Sequence, residues 1–420
     1  MKIDRKNGLT ASEERLNSLA RVFWSITIFS LIILSLFEWG GPRIVGIDPR
    51  YWRLIAEIMS VSLFFVYLTQ QNPVKRILRL TPILVSFVVL LLWYYLRIVI
   101  FTDLTRPLVS TILMFVFFGA IGCRPWRNLD LRIISCITAT LICYLFYRWI
   151  IDGMQLFSYV PFNWWNKNGT GYVFALSFPL VCIGRIHSKR KMEWISLTAA
   201  MIMCFILLTV SGARTAFISF CVGMGVYWFW PLISRNRSRF IVFGGIFMLL
   251  CLIYPFVYLS VLDLTEISSL KMLGYGVTSR KMVFLRSVEF WALSPVVGNG
   301  LGTLVPMFDG GASRTPHNTY LFVLVQTGVV GLSVYVYYLW SICFLLFRGA
   351  GDPLVRVCGA VFFGLLLYQT NDVVMMVSTL TMSLWAYFIL GIGISRADEY
   401  RRKFSLSTQL RCQHSLKDSE

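Results

Sequence analysis

Four residues with reactive or charged side chains could take part in chemistry in this sequence: Arg214, Arg280, His317 and Asp372. A guanidinium group binds anions, an imidazole exchanges protons near neutral pH, and a carboxylate can orient or neutralise either group. Three of them occur in short polar turns, which read Ser211-Gly-Ala-Arg-Thr215, Thr315-Pro-His-Asn-Thr-Tyr320 and Gln369-Thr-Asn-Asp372. If these turns share one face of the protein, the four side chains can form a single site.

Each of these residues also has a simpler structural interpretation. Arg214 could anchor a helix end among lipid headgroups, although Gly212 opens backbone space for a ligand beside it. Asp372 could cap the last helix. His317, one of only three histidines, could be structural; Pro316 before it keeps the chain out of a helix and places it at a helix start.

Arg280 lies in a predicted loop helix that runs from Thr278 to Leu293. Its neighbours on the same helical face, at about 100° per residue, are Val283, Phe284, Ser287 and Trp291. Arg286 and Glu289 fall on another face with a spacing of three residues, which is typical of a surface ion pair. An arginine on the packed aromatic face is the one expected to contact a functional group.

Membrane-spanning helices are the elements that would position these residues. The 420 residues are 57% hydrophobic and 14% charged, whereas an average domain is about a quarter charged. Apolar runs recur at the length of roughly 20 residues that a bilayer requires. The net charge of +19 does not indicate nucleic acid, because Lys and Arg form short clusters between the runs. We therefore predict an all-α polytopic integral membrane protein with about 12 transmembrane helices.

The basic residues also predict an orientation in the membrane. The N-terminus is basic and has no small-residue cleavage site, which indicates a cytoplasmic tail and not a cleaved signal peptide. With this end inside, the inner segments hold more than twice as many Lys and Arg residues as the outer ones, so both ends are expected inside. The predicted spans are 20–37, 54–70, 80–101, 107–122, 132–150, 172–186, 194–210, 214–232, 240–262, 319–347, 354–370 and 373–394.

This layout divides the chain into four parts. Residues 1–262 hold spans one to nine, 263–318 form a long outer loop, 319–394 hold the last three spans, and 395–420 are a cytoplasmic tail. A loop of this length is usually functional, and it carries Arg280 and His317 on the outer face. The outer turns place Arg214 and Asp372 on that face as well.

Neither a metal nor another cofactor is expected. Nine of the ten cysteines lie in or beside apolar runs, and no C-x-x-C pair occurs, so they are interpreted as small hydrophobic residues. No cluster of His, Cys and Asp has the spacing of metal ligands.

Four blocks in the second half of the chain resemble the O-antigen ligase family and its relatives, the Wzy-type polysaccharide polymerases. The blocks are Thr209-Val-Ser-Gly-Ala-Arg-Thr215, Ser279-Arg280 with Trp291 and Pro295-Val-Val-Gly-Asn-Gly-Leu-Gly302, His317-Asn-Thr-Tyr-Leu with Gln326-Thr-Gly-Val-Val-Gly331, and Asn371-Asp372-Val-Val. The blocks occur in the family's order, and the predicted topology places them on one side of the membrane. The chain departs from the family at Gln326, where many members carry an acidic residue.

The resemblance implies a GT-C-like helical fold and a metal-independent, inverting glycosyltransferase of the bacterial inner membrane, surrounded by membrane lipids. Its donor would be a glycan on undecaprenyl pyrophosphate, and its acceptor a sugar hydroxyl of lipid A–core at the periplasmic face. Arg214 and Arg280 would bind the pyrophosphate, and His317 would act as the base. Asp372 would orient His317 or pair with an arginine.

Three other functions stay open at this point. A polymerase on the same lipid carrier would use similar chemistry with a different acceptor. A glycan flippase or secondary transporter would need ionisable residues near the bilayer midplane, for which Arg97 and Glu57 are the main candidates. A membrane scaffold without chemistry would not explain the cationic outer loop.

Overall fold

The computed structural model of the chain describes residues 80–101, 106–154, 156, 167–264, 275–306, 313–375 and 380–417. The regular structure of these residues is helical, apart from one isolated bridge between Val305 and Arg314. The helices in this part of the chain are α1 Thr81–Phe101, α2 Arg106–Cys123, α3 Asn128–Ile151, α4 Lys167–His187, α5 Lys191–Val210, α6 Arg214–Ile233, α7 Arg237–Leu264, α8 Tyr275–Ala292, α9 Thr319–Phe347, α10 Pro353–Tyr368 and α11 Leu380–Lys417.

These helices occur where the apolar runs predicted them, from the span at 80–101 onward. Seven helices within the described ranges (α1, α3 to α7 and α9) are long and apolar enough to cross a membrane. Helix α10 is apolar but shorter, as is the segment Thr111–Cys123 of α2. The all-helical architecture of a polytopic membrane protein is thus confirmed, whereas the count of twelve spans stays a prediction. The spans at 20–37 and 54–70, and Glu57 with them, lie outside the described residues.

The end of the chain differs from the prediction in two respects. The last span was expected to begin at 373, but α11 begins at Leu380. The Thr319 hydroxyl accepts a hydrogen bond from the Val374 N–H at 3.0 Å and donates one to the Asp372 carbonyl at 3.0 Å. These bonds hold residues 372–374 in a non-helical conformation. Helix α11 also continues to Lys417, so most of the predicted tail at 395–420 is helical.

Glycines bring α6 and α10 into close contact. A Cβ atom added at Gly364 would lie 2.8 Å from the carbonyl oxygen of Ser219, and one added at Gly223 would lie 3.0 Å from that of Ala360. Small residues at such a crossing let two membrane helices approach closely. The two pairs show that the helices run antiparallel, so Arg214 at the start of α6 is level with the end of α10.

Helix α9 is broken at Gly328, whose φ of 65° and ψ of −168° are not helical. The loop that follows α8 lies against this break and supplies the missing backbone partners. The N–H groups of Val329 and Val330 donate to the carbonyls of Pro295 and Val296 (3.0 and 3.3 Å), and those of Asn299 and Gly300 donate to the carbonyls of Val325 and Gln326 (2.8 and 3.2 Å). Buried backbone groups need such partners, so the loop joins the two halves of α9.

Candidate active site

His317 lies directly before α9, in a backbone conformation that few side chains adopt. Its φ is 50°, in the left-handed region. Asn318 follows as the N-cap of α9, and its Oδ1 accepts the Leu321 N–H at 2.9 Å. Helix α9 therefore begins at Thr319, and His317 lies in the turn directly before the N-cap.

Two short segments far apart in sequence are joined at this helix start. The side-chain amide of Asn318 donates to the Thr370 carbonyl at 2.7 Å, and the N–H of Thr319 donates to the Gln369 carbonyl at 2.8 Å. Both Asn318 and Thr319 are fully buried. These bonds hold the turn after α10, and with it Asp372, against the turn that carries His317.

The Asp372 carboxylate is held in place by two hydrogen bonds. Its Oδ1 accepts the N–H of Val373 at 2.9 Å, and its Oδ2 accepts the Tyr368 hydroxyl at 3.3 Å. Burial raises the pKa of Asp372 above its usual value, and the Val373 N–H and the positive charges of His317 and Arg280 oppose that rise. Asp372 thus lies within electrostatic range of both predicted partners.

The imidazole of His317 titrates below its usual range. Partial burial of the ring lowers its pKa, because burial disfavours the charged form. The positive charges of Arg280 and Arg314 lower the pKa further, whereas the negative charge of Asp372 raises it. Part of the His317 side chain stays exposed to solvent. The ring is therefore predominantly neutral at neutral pH, which is the form that can accept a proton.

Arg280 reaches the same site from α8. Its guanidinium Nη1 donates to the Asn371 side-chain oxygen at 3.1 Å, and that oxygen also accepts the Tyr254 hydroxyl at 3.2 Å. The predicted packed face of this helix is confirmed, since Val283, Phe284 and Ser287 are buried. The predicted surface pair is also present, with Arg286 and Glu289 2.8 Å apart.

Arg214 begins α6 and is exposed. The turn before it packs on α4, since a Cβ atom added at Gly171 would lie 2.2 Å from the Ala213 Cβ. In turn α4 touches the site, because the Tyr368 hydroxyl lies 3.2 Å from the Asn168 carbonyl. Arg214 is therefore at the same end of the bundle, but within the described ranges it forms no hydrogen bond or ion pair with Arg280, His317 or Asp372.

Two contributors to the site were not predicted from the sequence. Asn371 holds Arg280, although its only sequence signal was its place beside Asp372. Arg97, a candidate for the mid-membrane charge of a transporter, instead donates from its buried guanidinium to the carbonyls of Val297 at 2.6 Å and Gly298 at 3.1 Å. It therefore supports the loop that repairs α9. Of the loop residues predicted outside the membrane, 265–274 and 307–312 lie beyond the described residues.

Within the described ranges, no group of three or more His, Cys, Asp and Glu side chains could hold a metal ion.

Comparison with known protein families gives one match. Residues 198–336 match the family described as O-antigen ligase. The match covers about a third of the chain, so these residues are similar to that family. The resemblance predicted from the sequence blocks is thus confirmed. No curated protein matches the chain significantly.

The matched segment covers most of the site but not all of it. It begins in α5, includes Arg214, Arg280 and His317, and ends within α9. Asp372 and Asn371 lie beyond its end, in the turn that Asn318 and Thr319 hold in place. Hydrogen bonds from Asn318 and Thr319 of the matched segment hold the turn that carries Asp372.

Proposed function

We propose that this chain is an O-antigen ligase that transfers a glycan from undecaprenyl pyrophosphate to a sugar hydroxyl of lipid A–core. The observation that carries the proposal is the meeting of Arg280, His317 and Asp372 at one end of the bundle. The match to the O-antigen ligase family supports the class of reaction. The site would face the periplasm from the bacterial inner membrane, with both ends of the chain in the cytoplasm.

In this reaction His317 acts on the acceptor. The acceptor oxygen forms a bond to the anomeric carbon of the glycan, while the bond from that carbon to the pyrophosphate oxygen breaks. His317 takes the proton of the acceptor hydroxyl and later releases it to water, and its lowered pKa keeps the ring in the accepting form. Displacement from the opposite side inverts the anomeric centre and uses no metal.

The arginines act on the leaving group. Pyrophosphate departs with increased negative charge, which fixed cations stabilise most strongly in the transition state. Arg280 is held by Asn371 at one nitrogen, and its planar fork presents further N–H groups for phosphate oxygens. Arg214, exposed at the start of α6, can approach the same pyrophosphate from the other side. Asp372 stabilises the imidazolium that forms when His317 accepts the proton.

An apolar cavity beside the site supports a donor carried on a lipid. The cavity has a volume of about 300 Å³ and lies between α4, α6 and α10. Tyr172 and Tyr368 line its end nearest the site, and Arg185 and Tyr227 line the other end. Because the Tyr368 hydroxyl contacts Asp372, a polyprenyl chain in this cavity would deliver its pyrophosphate to the cluster.

The test is a transfer assay with purified protein in proteoliposomes. The donor is a radiolabelled glycan on undecaprenyl pyrophosphate, and the acceptor is lipid A–core. The wild type is compared with His317→Ala and with the control Arg286→Ala, whose arginine lies on the opposite face of α8 in a surface pair. We expect label to move into lipid A–core with the wild type and the control, and not with His317→Ala.

Other distributions of the label would point to the alternative functions. Longer glycan on the lipid carrier, formed without lipid A–core, would identify a polymerase. Intact donor that crosses the bilayer without transfer would identify a transporter. Equal transfer by His317→Ala and by the control would contradict the assigned site.

A further inference from the structure

A second cavity lies at the opposite end of the bundle from His317. It has a volume of about 350 Å³ and is bounded by the last turn of α9 and by the part of α11 beyond Ile394. Helix α9 alone has 29 residues, which is about 43 Å at 1.5 Å per residue. The cavity is therefore too far from His317 to belong to the site described above.

Arginines dominate the polar part of this cavity. Arg348, Arg401 and Arg402 line it together with a single acid, Asp398, which pairs with Arg402 at 2.6 Å. Within the described ranges, the side chains of Arg348 and Arg401 form no hydrogen bond or ion pair with the protein. Asp398, the acid that lines the cavity, is paired with Arg402, so three guanidinium groups face one carboxylate there.

The arginines also repel one another. The guanidinium of Arg348 lies over the Phe344 ring at 4.7 Å, and that of Arg237 lies over the same ring at 5.5 Å. Burial and the nearby charges of Arg401 and Arg237 lower the pKa of Arg348. An anion placed among these groups would relieve this repulsion and would pair with donors arranged for phosphate oxygens.

Part of the remaining wall of the cavity is apolar. Leu80, Leu345 and Ile394 line it beside the arginines. Leu80 directly precedes α1 and Leu345 lies near the end of α9, and both helices are long and apolar enough to cross a membrane. Basic pockets between membrane helices, near a surface, bind phosphate groups of lipids. A guanidinium cluster next to an apolar wall matches a phosphodiester that carries acyl chains.

We propose that this cavity binds a phosphate-bearing anion, and that the anion is the headgroup of an anionic phospholipid. The cavity would hold the phosphodiester between Arg348 and Arg401, with an acyl chain along Leu345 and Ile394. A free phosphate ion would satisfy the same arginines without using the apolar wall. The proposal does not depend on the proposed transferase activity, because it concerns other residues and is tested by binding.

The test measures lipid and phosphate binding by the full-length protein. In one arm, the protein is taken from phosphatidylcholine nanodiscs that contain a minor fraction of phosphatidylglycerol, and native mass spectrometry counts the anionic lipids that stay bound. In the other arm, inorganic phosphate is titrated into protein in pure phosphatidylcholine nanodiscs and followed by calorimetry. The variants are Arg348→Gln/Arg401→Gln and the matched control Arg235→Gln/Arg239→Gln, which removes two exposed arginines from the same end of the bundle.

We expect the amount of bound phosphatidylglycerol to fall about tenfold or more in the cavity variant and to stay unchanged in the control. Phosphate binding that needs the same two arginines, without retained lipid, would support the cavity with a free phosphate as its ligand. Absence of both ligands in the wild type, or equal loss in variant and control, would overturn the proposal. Arg401→Gln alone changes an exposed helical position and gives the same comparison if the double variant does not fold.

Discussion

The side-chain amide of Asn318 donates a hydrogen bond of 2.7 Å to the backbone carbonyl of Thr370, across 52 residues of sequence. The side-chain oxygen of Asn318, Oδ1, accepts the Leu321 N–H and caps α9. One residue therefore starts the helix that follows His317 and also holds the turn that ends in Asp372. Together with the bonds of Thr319, this amide holds the turn of Asp372 against the turn of His317.

Replacement of Asn318 by alanine tests that dependence. Loss of the cap should lower the free energy of unfolding by about 1 kcal/mol, and release of the Thr370 carbonyl should add to that loss. The displaced turn should also reduce transfer by about 10²-fold, as small misplacements in active sites do. Thermal unfolding and the transfer assay measure the two effects.

Asn236→Ala is the matched control for Asn318→Ala. The Asn236 side chain accepts the Ser238 N–H at 2.9 Å near the start of α7, at the other end of the bundle. Its loss should destabilise the protein by a similar amount and leave the transfer rate unchanged. Equal effects of both variants on transfer would remove the special role of Asn318.

The pH dependence of transfer should report the surroundings of His317. Because protein packing and two arginines lower its pKa, the acidic limb of kcat/KM should lie below the usual histidine value of about 6.5. Activity is lost as the pH falls through that pKa, since the protonated ring cannot accept the acceptor proton. Initial rates measured over a pH series locate the limb.

Arg314→Gln should move this limb to higher pH. The positive charge of Arg314 disfavours the imidazolium form of His317, so its removal lets the ring keep its proton to a higher pH. Arg286→Gln removes an arginine that is paired with Glu289 and should leave the limb in place. A limb that stays fixed in the Arg314 variant would show that another group controls it.

The form of the charge at position 280 should also matter. Arg280→Ala should reduce transfer by about 10²- to 10³-fold, which is the usual cost of removing one fixed donor from a developing anion. Arg280→Lys keeps the charge but not the planar fork, so its rate should fall between those of alanine and arginine. The measurement is the steady-state transfer rate of the wild type and of the two variants. A lysine variant as slow as the alanine variant would show that the geometry of the guanidinium group matters more than its charge.

The break in α9 should not tolerate a side chain. A Cβ atom added at Gly328 would lie 2.1 Å from the Val296 carbonyl oxygen, and its φ is 65°. Gly328→Ala should therefore destabilise the protein by more than about 1 kcal/mol. Gly225→Ala is the control, because nothing lies within 4 Å of that Cβ position in α6 and alanine favours a helix. Thermal unfolding should show a clearly lower Tm for Gly328→Ala and an unchanged or higher Tm for Gly225→Ala.

The proposed orientation can be measured with added cysteines. Ser313 is exposed in the turn before His317, and Ser238 is exposed at the start of α7. A membrane-impermeant maleimide should label Ser313→Cys from outside the inner membrane, and Ser238→Cys only in inverted vesicles, both above the background of the parent protein. The reverse pattern would place the site in the cytoplasm.

Much of the helical architecture could be predicted from the sequence, because lipid imposes a simple rule. A span must be a long apolar run with its backbone paired internally, so the helices appear where such runs occur. The face of α8 was predictable for a similar reason: Val283, Phe284 and Ser287 follow the helical period around Arg280. Side-chain type and spacing carried that information.

Contacts with the backbone could not be predicted in the same way. Arg97 donates to two carbonyls about 200 residues away, and every residue of any type offers such a carbonyl. The hydrophobic pattern of α9 continues through Gly328, so the sequence does not indicate a break at that residue. The non-helical residues 372–374 are bound by the Thr319 hydroxyl, and nothing in the sequence around Thr319 indicates these partners. These features depend on tertiary structure alone.

The repaired break in α9 has a mechanical consequence. Main-chain bonds in both directions tie the loop after α8 to residues on each side of Gly328, while Phe284 of α8 packs against Leu321 and Leu324. Helix α8 and the first part of α9 are thereby joined into one stiff body with two attachments. Because Arg280 lies on α8 and His317 directly precedes α9, we expect their separation to change little when neighbouring helices shift.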